Sequence, residues 1–329
     1  MTATTSRDGA LWRPTSSASF GLVALAAAMW GTDPLLRQGL ALNLPTTLIV
    51  WVEHALPTLL VIPLVVRGLR RAARSFTALD WVFLVVLGCG ASALATLLFT
   101  TAFTFGSPTT PALLQQVQPL VAVAGAHLLL GEHVRRRFVA YLVLGLLGAY
   151  LIAFANPLSV DVQGLAPALL ALAAAALWGL GTVLGRRLGA KMPFKELTAL
   201  RLFFGLLAVS VVLPLNGDLG AFGRVDLKAA IALVLLALVP GLLSLLVYYR
   251  GLQGTPASAA TIAELAFPLT TVLVSYLVFH VVLSPTQWLG VVVLAGTMTV
   301  MGLVRARNAA PLGVDAPPPA ELPVGAMTD

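Results

Sequence analysis

The chain has 329 residues, of which 59% are hydrophobic and 10% charged, with a formal net charge of +7. Ordinary soluble domains are about 45–50% apolar and about 25% charged, so a soluble enzyme, a nucleic-acid binder and a disordered protein are all poor fits. The single cysteine, Cys89, lies in an apolar run, which excludes a disulfide framework and a cysteine-based metal site.

In chain order, the polar start carries Arg7, Asp8 and Arg13 and passes without a clear cleavage site into a long apolar run. That run is predicted to be a first spanning helix and not a cleaved signal. A bilayer core about 30 Å thick needs about 20 apolar residues per helix. Such runs recur at approximately 19–41, 46–66, 80–102, 108–130, 136–155, 164–185, 196–215, 227–249, 256–279 and 286–304. The predicted fold is therefore all-α: a polytopic membrane protein of ten transmembrane helices joined mostly by short loops. Beyond Arg307 the tail, with Pro317, Pro318 and Pro319, has no apolar period and is expected to be disordered.

The basic residues report orientation. Of the 20 Lys and Arg residues, 16 fall at the N-terminus, in the 2–3, 4–5, 6–7 and 8–9 connections, and after the tenth span. Arg37, Arg224 and Lys228 belong to the opposite side, and Arg201 lies inside the seventh span. The positive-inside rule then places both termini in the cytoplasm, in a multi-pass protein of the cytoplasmic (inner) membrane. It also accounts for the net charge without nucleic acid. The Arg135, Arg136 and Arg137 cluster reads as an anchor that can touch anionic lipid.

Landmarks repeat along the chain. Ala28-Met29-Trp30-Gly31 recurs as Ala176-Leu177-Trp178-Gly179, and Gly106-Ser107-Pro108 as Gly254-Thr255-Pro256, both at an offset of 148. Pro119 matches Pro268 at an offset of 149. Five helices per half is an odd number, so the second half is inverted. The expected division is a cytoplasmic segment 1–18, a first repeat 19–155, a second repeat 156–304 and a Pro-rich cytoplasmic tail 305–329. Inverted halves are a recurrent plan of secondary transporters, in which exchanging the conformations of the halves alternates the accessible side.

Over roughly residues 18–304 the chain resembles the EamA-like members of the drug/metabolite transporter superfamily. The likeness rests on the two five-helix halves, the paired Trp-Gly and the stretch Ala112-Leu113-Leu114, Pro119-Leu120, Leu130-Gly131-Glu132 and Gly145. The second copy has His280-Val281 at the Gly-Glu position, and Glu53-His54 stand in the second span where the family more often has an arginine. The resemblance implies a cavity lined mainly by spans 1, 3, 4, 6, 8 and 9, and an export role.

A mid-helix proline removes one N–H and clashes with the carbonyl four residues earlier, which belongs to Gln115 for Pro119 and to Glu264 for Pro268. Residues four apart share a face, so each half is expected to set a polar side chain beside its own freed carbonyl. Such breaks are tolerated where backbone lines a cavity or meets another helix. Glu264, at a depth where a carboxylate costs about 2.5 kcal/mol or more, is expected to bind a cationic solute group, carry a coupling proton or serve as a protonated hydrogen-bonder. The cavity candidates are Trp30, Gln115, Gln118, Trp178, Tyr248 and Glu264. Asp33, Glu53, His54 and Arg201 are coupling or gate candidates. For Asp33 a local pairing with Arg37 is the competing reading, and Arg201 is expected to snorkel or meet a carbonyl sooner than reach Glu53. His54 and His127 lack metal-ligand company, and Gly181 and Gly185 read as internal packing sooner than a dimer seam.

No Walker-type loop, HExxH or GxSxG is present, so no cofactor, metal or catalytic residue is expected. The functional expectation is a secondary transporter moving a small metabolite, such as an amino acid, outward by alternating access. Its partners would be the solute, a coupling proton and membrane lipid, and it would act as a monomer or homodimer. The alternatives are an intramembrane enzyme using Glu53 and His54, or a structural or sensing membrane protein without flux.

Overall fold

A computed structural model describes residues 16–105, 111, 114–134, 136–154, 156–158, 165–280, 282–308 and 314–315. Among the described residues the fold is all-helical apart from one two-residue pairing. In the first part of the chain α1 (Ser16–Trp30) and α2 (Asp33–Ala41) are followed by α3 (Thr46–Leu60), α4 (Ile62–Ser75) and α5 (Ala78–Phe103). Then come a 3-10 turn (Gln115–Val117) leading into α6 (Gln118–Leu130), and α7 (Arg136–Ala153). The second part holds α8 (Leu165–Gly189), α9 (Phe194–Leu215), α10 (Leu227–Leu252), α11 (Ala257–Glu264), α12 (Ala266–Phe279) and α13 (Pro285–Asn308).

Among the described residues six helical stretches are long and apolar enough to cross a membrane: Ala18–Ala41, Ala78–Phe103, Leu165–Gly189, Phe194–Leu215, Leu227–Leu252 and Ala257–Val274. A seventh is counted if the bent pair α3–α4 is one span, while Gln118–Leu130 and Pro285–Met301 are shorter apolar helices. Leu128 at 78% and Val292 at 67% exposure show the outward face that hydrocarbon, not water, would cover.

Two expectations are corrected. The run 46–66 is not one helix: the chain bends by 83° between Leu60 and Ile62. Pro57 weakens the end of α3, and Pro63, at the start of α4, suits a new helix but not a continuing one. In α4, Val65, Gly68 and Ala72 are buried while Arg67, Arg70, Arg71 and Arg74 are exposed, so the expected 2–3 loop is an amphipathic helix. Second, Pro119 is not mid-helix. It is the second residue of α6, and the Gln115 carbonyl is not free, because it accepts the Gln118 N–H in a 3-10 bond. Arg37, counted among the charges of the opposite side, is buried, its side chain 4% exposed. The tail boundary also shifts: α13 continues to Asn308, and Val314–Asp315 pairs antiparallel with His133–Val134. Most of the expected disordered tail, like the segment 1–15 and the Gly106-Ser107-Pro108 landmark, lies outside the described residues.

Two π-helical segments, Val86–Leu94 in α5 and Ala237–Leu243 in α10, occupy corresponding places in the two halves. Both contain glycine, and the second holds Pro240, consistent with local relief of the i→i−4 ladder. Small residues set the close approaches. A Cβ on Gly31 would lie 2.7 Å from the Phe267 carbonyl oxygen of α12, and one on Gly179 would lie 2.8 Å from the Gln118 carbonyl oxygen of α6. Each Trp-Gly pair thus seats the broken helix of the other half. Gly181 faces Ala91 and Gly185 faces Tyr249, so this GxxxG is used in internal packing.

Gly88 marks another tight crossing, between α5 and α9. A Cβ there would collide with the Phe204 Cβ and lie 3.1 Å from the Arg201 carbonyl oxygen of α9. Gly88→Ala is therefore expected to lower stability by about 1–3 kcal/mol, the usual range for overpacking. An unchanged thermal midpoint for the purified protein would show that α5 and α9 can part at no cost.

Candidate functional site

The broken helices, the two tryptophans and the polar residues inside the spans meet around one cavity. Its wall includes Trp30, Gln115, Gln118, Trp178, Tyr248 and Glu264, both prolines (Pro119 and Pro268), and Asp33, Glu53, His54 and Arg201. Phe99, Thr182 and Phe267 also line it.

Glu264 ends α11, just before the break at Leu265 that precedes α12. Its carboxylate accepts hydrogen bonds from Gln118 Nε2 at 2.8 Å, Tyr248 OH at 2.7 Å and Thr182 Oγ1 at 3.1 Å. Tyr248 OH also lies 3.0 Å from Thr182 Oγ1. These donors come from α6, α10 and α8. A carboxylate with that many donors is satisfied by the protein itself, so Glu264 organises the wall at this level. Gln115, its counterpart in the first half, is the opposite case: its Oε1 is buried and without a partner.

Aromatic rings flank this polar knot. Trp30 packs on Tyr248 with centroids 4.9 Å apart, and Trp178 packs edge-on against Phe99 at 5.0 Å.

Toward the end of α2 lies an ion cluster. Arg37 donates through Nε and Nη2 to Asp33 at 2.6 and 2.5 Å, and through Nη1 and Nη2 to Glu53 at 2.9 and 2.6 Å. Nη1 also reaches Thr100 Oγ1 at 2.9 Å. The local Asp33–Arg37 pairing is present, and the same guanidinium holds Glu53, which no helix-spacing argument could supply. The planar fork allows this double bidentate grip.

Arg201 does not touch Glu53. Its Nη2 donates to the Ala91 carbonyl in the π segment of α5 at 3.0 Å, and its Nη1 donates to Tyr249 OH at 2.8 Å. Nε is buried and unpartnered. His54 bonds the Val50 carbonyl at 2.8 Å and Ser92 Oγ at 3.0 Å. Glu53 and His54 are thus engaged with different partners, which leaves no acid–base pair aimed at a shared point. Among the described residues no group of three or more His, Cys, Asp or Glu could hold a metal ion.

Sequence reading missed Thr182 and Phe99 as parts of this wall, and Thr100 as a partner of Arg37. Polar periodicity singles out none of them, since a lone threonine in a span commonly bonds its own helix.

The family model for the EamA-like transporter family matches residues 18–154 and again 165–303. The chain belongs to the EamA-like transporter family. It is 31% identical over 272 residues to the riboflavin transporter ImpX of Fusobacterium nucleatum subsp. nucleatum, covering 81% of this chain and 91% of that protein. A solved structure described only as the crystal structure of a protein superimposes with a TM-score of 0.70. It is 19% identical, and the alignment covers 89% of this chain and 99% of the other, a likeness of fold.

Proposed function

We propose that this EamA-like protein is a ten-helix secondary transporter that moves a flat heteroaromatic metabolite by alternating access between inverted halves, 19–155 and 156–304. The observation that carries the reading is the composition of the cavity between the broken helices: rings of Trp30, Phe99, Trp178 and Tyr248 beside an unpartnered Gln115 Oε1. Aromatic walls suit a conjugated ring, and the free acceptor suits an N–H on its edge. The relative that is a riboflavin transporter makes riboflavin the first solute to test, ahead of the amino acid expected as an example from the sequence.

The same reading makes the ion cluster a coupling site. One arginine between two carboxylates leaves a formal excess of negative charge, which a coupling proton would cancel. The 16 basic residues on one side support a cytoplasmic-membrane orientation with both termini inside, and the family resemblance favours export. The expected unit is a monomer or homodimer, and the aromatic and polar wall suits a solute path.

Purified protein in sealed liposomes is expected to show saturable, protein-dependent riboflavin flux that a pH gradient accelerates, with no flux of an amino-acid control. Flux of amino acids alone would overturn the substrate class. Absence of flux across a metabolite panel would favour the structural or sensing reading, and chemical conversion of a solute would favour an enzyme.

A further inference from the structure

Glu132 follows the left-handed cap Gly131 at the end of α6 and is 3% exposed. Its carboxylate lies against the first turn of α11 in the other half. Oε1 accepts the Ala257 N–H at 2.8 Å, and Oε2 accepts the Ser258 N–H at 3.1 Å and the Ser258 hydroxyl at 2.5 Å. An anion at a helix N-terminus meets both the unsatisfied N–H groups and the positive end of the helix dipole. His127 Nδ1 donates to the Glu132 carbonyl at 3.0 Å and braces the turn from within α6. Below this contact Ala126, Val183 and Ala257 close the seam with buried apolar surface.

The corresponding position of the second half also has a positive φ, but the sequence there lacks the acid. His280 ends α12 with φ 52°, as Gly131 ends α6 with φ 66°, and Val281 follows where Glu132 follows Gly131. This charged tie between the halves therefore lies at the end bearing the 4–5 and 8–9 connections, and the sequence carries valine at the corresponding position of the second half.

We propose that Glu132 is a positioning residue of the transport cycle: it clamps α11 to α6 and holds the cavity shut at the basic-loop end until transport releases it. This rests on the alternating-access reading above. Glu264 is seven residues beyond Ala257 on the same helix, about 10 Å along the axis. Releasing the first turn of α11 therefore moves the carboxylate that organises the cavity wall. The clamp biases the empty protein toward access from the opposite face.

The test reads opening directly, without a solute. The chain's one cysteine is removed with Cys89→Ala, and Ala126→Cys places a reporter thiol in the closed seam. A membrane-impermeant maleimide is then applied to each face of oriented vesicles. Glu132→Gln, which turns an amide NH2 toward the α11 N–H groups, is expected to speed labelling from the basic-loop face at least tenfold, with no increase from the other face. Glu132→Asp is expected to restore part of the protection. Ser258→Ala, which leaves both backbone bonds intact, should give a smaller rise on the same face and serves if Glu132→Gln does not fold. Unchanged labelling, or an equal rise from both faces, would overturn the clamp. Flux measured in parallel on the Cys89→Ala protein separates this outcome from a failure of the transporter reading itself.

Discussion

Arg37→Met is expected to destabilise the folded protein by about 3–5 kcal/mol, the range for removing one partner of a buried ion pair. The guanidinium is 4% exposed, and the carboxylates it holds, Asp33 and Glu53, are 16% and 9% exposed. Without it both acids are left in a low-dielectric site with no counter-charge, so desolvation outweighs anything gained by an apolar side chain. The combined change Asp33→Asn, Arg37→Met and Glu53→Gln removes the charges together and is expected to recover most of the loss. The measurement is the thermal midpoint of each purified variant in mild detergent. If Arg37→Met melts with the wild type, the cluster holds nothing, and its role as a coupling site loses its physical basis.

At the other end of the cavity, Glu264→Gln is expected to reduce solute flux roughly ten- to a hundredfold, because a hydrogen bond to a charged group contributes about 1.5–3 kcal/mol. The amide keeps the size of the carboxylate but cannot accept from Gln118, Thr182 and Tyr248 together with the same strength. The wall then relaxes around α6, α8 and α10 at once. Tyr248→Phe removes one of these donors and is expected to shift flux in the same direction by less. Membrane-inserted Glu264→Gln protein with wild-type flux would take Glu264 out of the transport path.

How much of this was legible before folding depends on the range of the interaction. The Trp30 and Trp178 motifs, the paired prolines and Glu264 stand out because each is odd in its local setting: aromatic away from an interface, a helix breaker in an apolar run, a charge in a span. All of them line the cavity. What they touch was not legible. Pro119 looked like a mid-helix kink because the apolar run extends on both sides of it, whereas the chain begins α6 one residue earlier through a 3-10 turn. Arg37 was legible as a local partner of Asp33, but its grip on Glu53 and Thr100 depends on those residues arriving from other helices. Glu132 carried only a motif likeness, since its partners, Ala257 and Ser258, are more than a hundred residues away.

The amino-acid sequence by itself determined that this is a membrane protein of repeated apolar helices, with its basic residues sorted to one end and a handful of polar groups left inside. Those properties follow from composition and spacing, which are local. Only the tertiary structure decided that Arg37 joins Asp33 to Glu53, that Glu264 gathers donors from α6, α8 and α10, that the second span turns by 83°, and that Glu132 ties the two halves at one end. The physical reason is that buried polar groups must find partners. In a membrane helix those partners lie across a packed interface, where glycines such as Gly31, Gly88 and Gly179 set how closely the backbones meet.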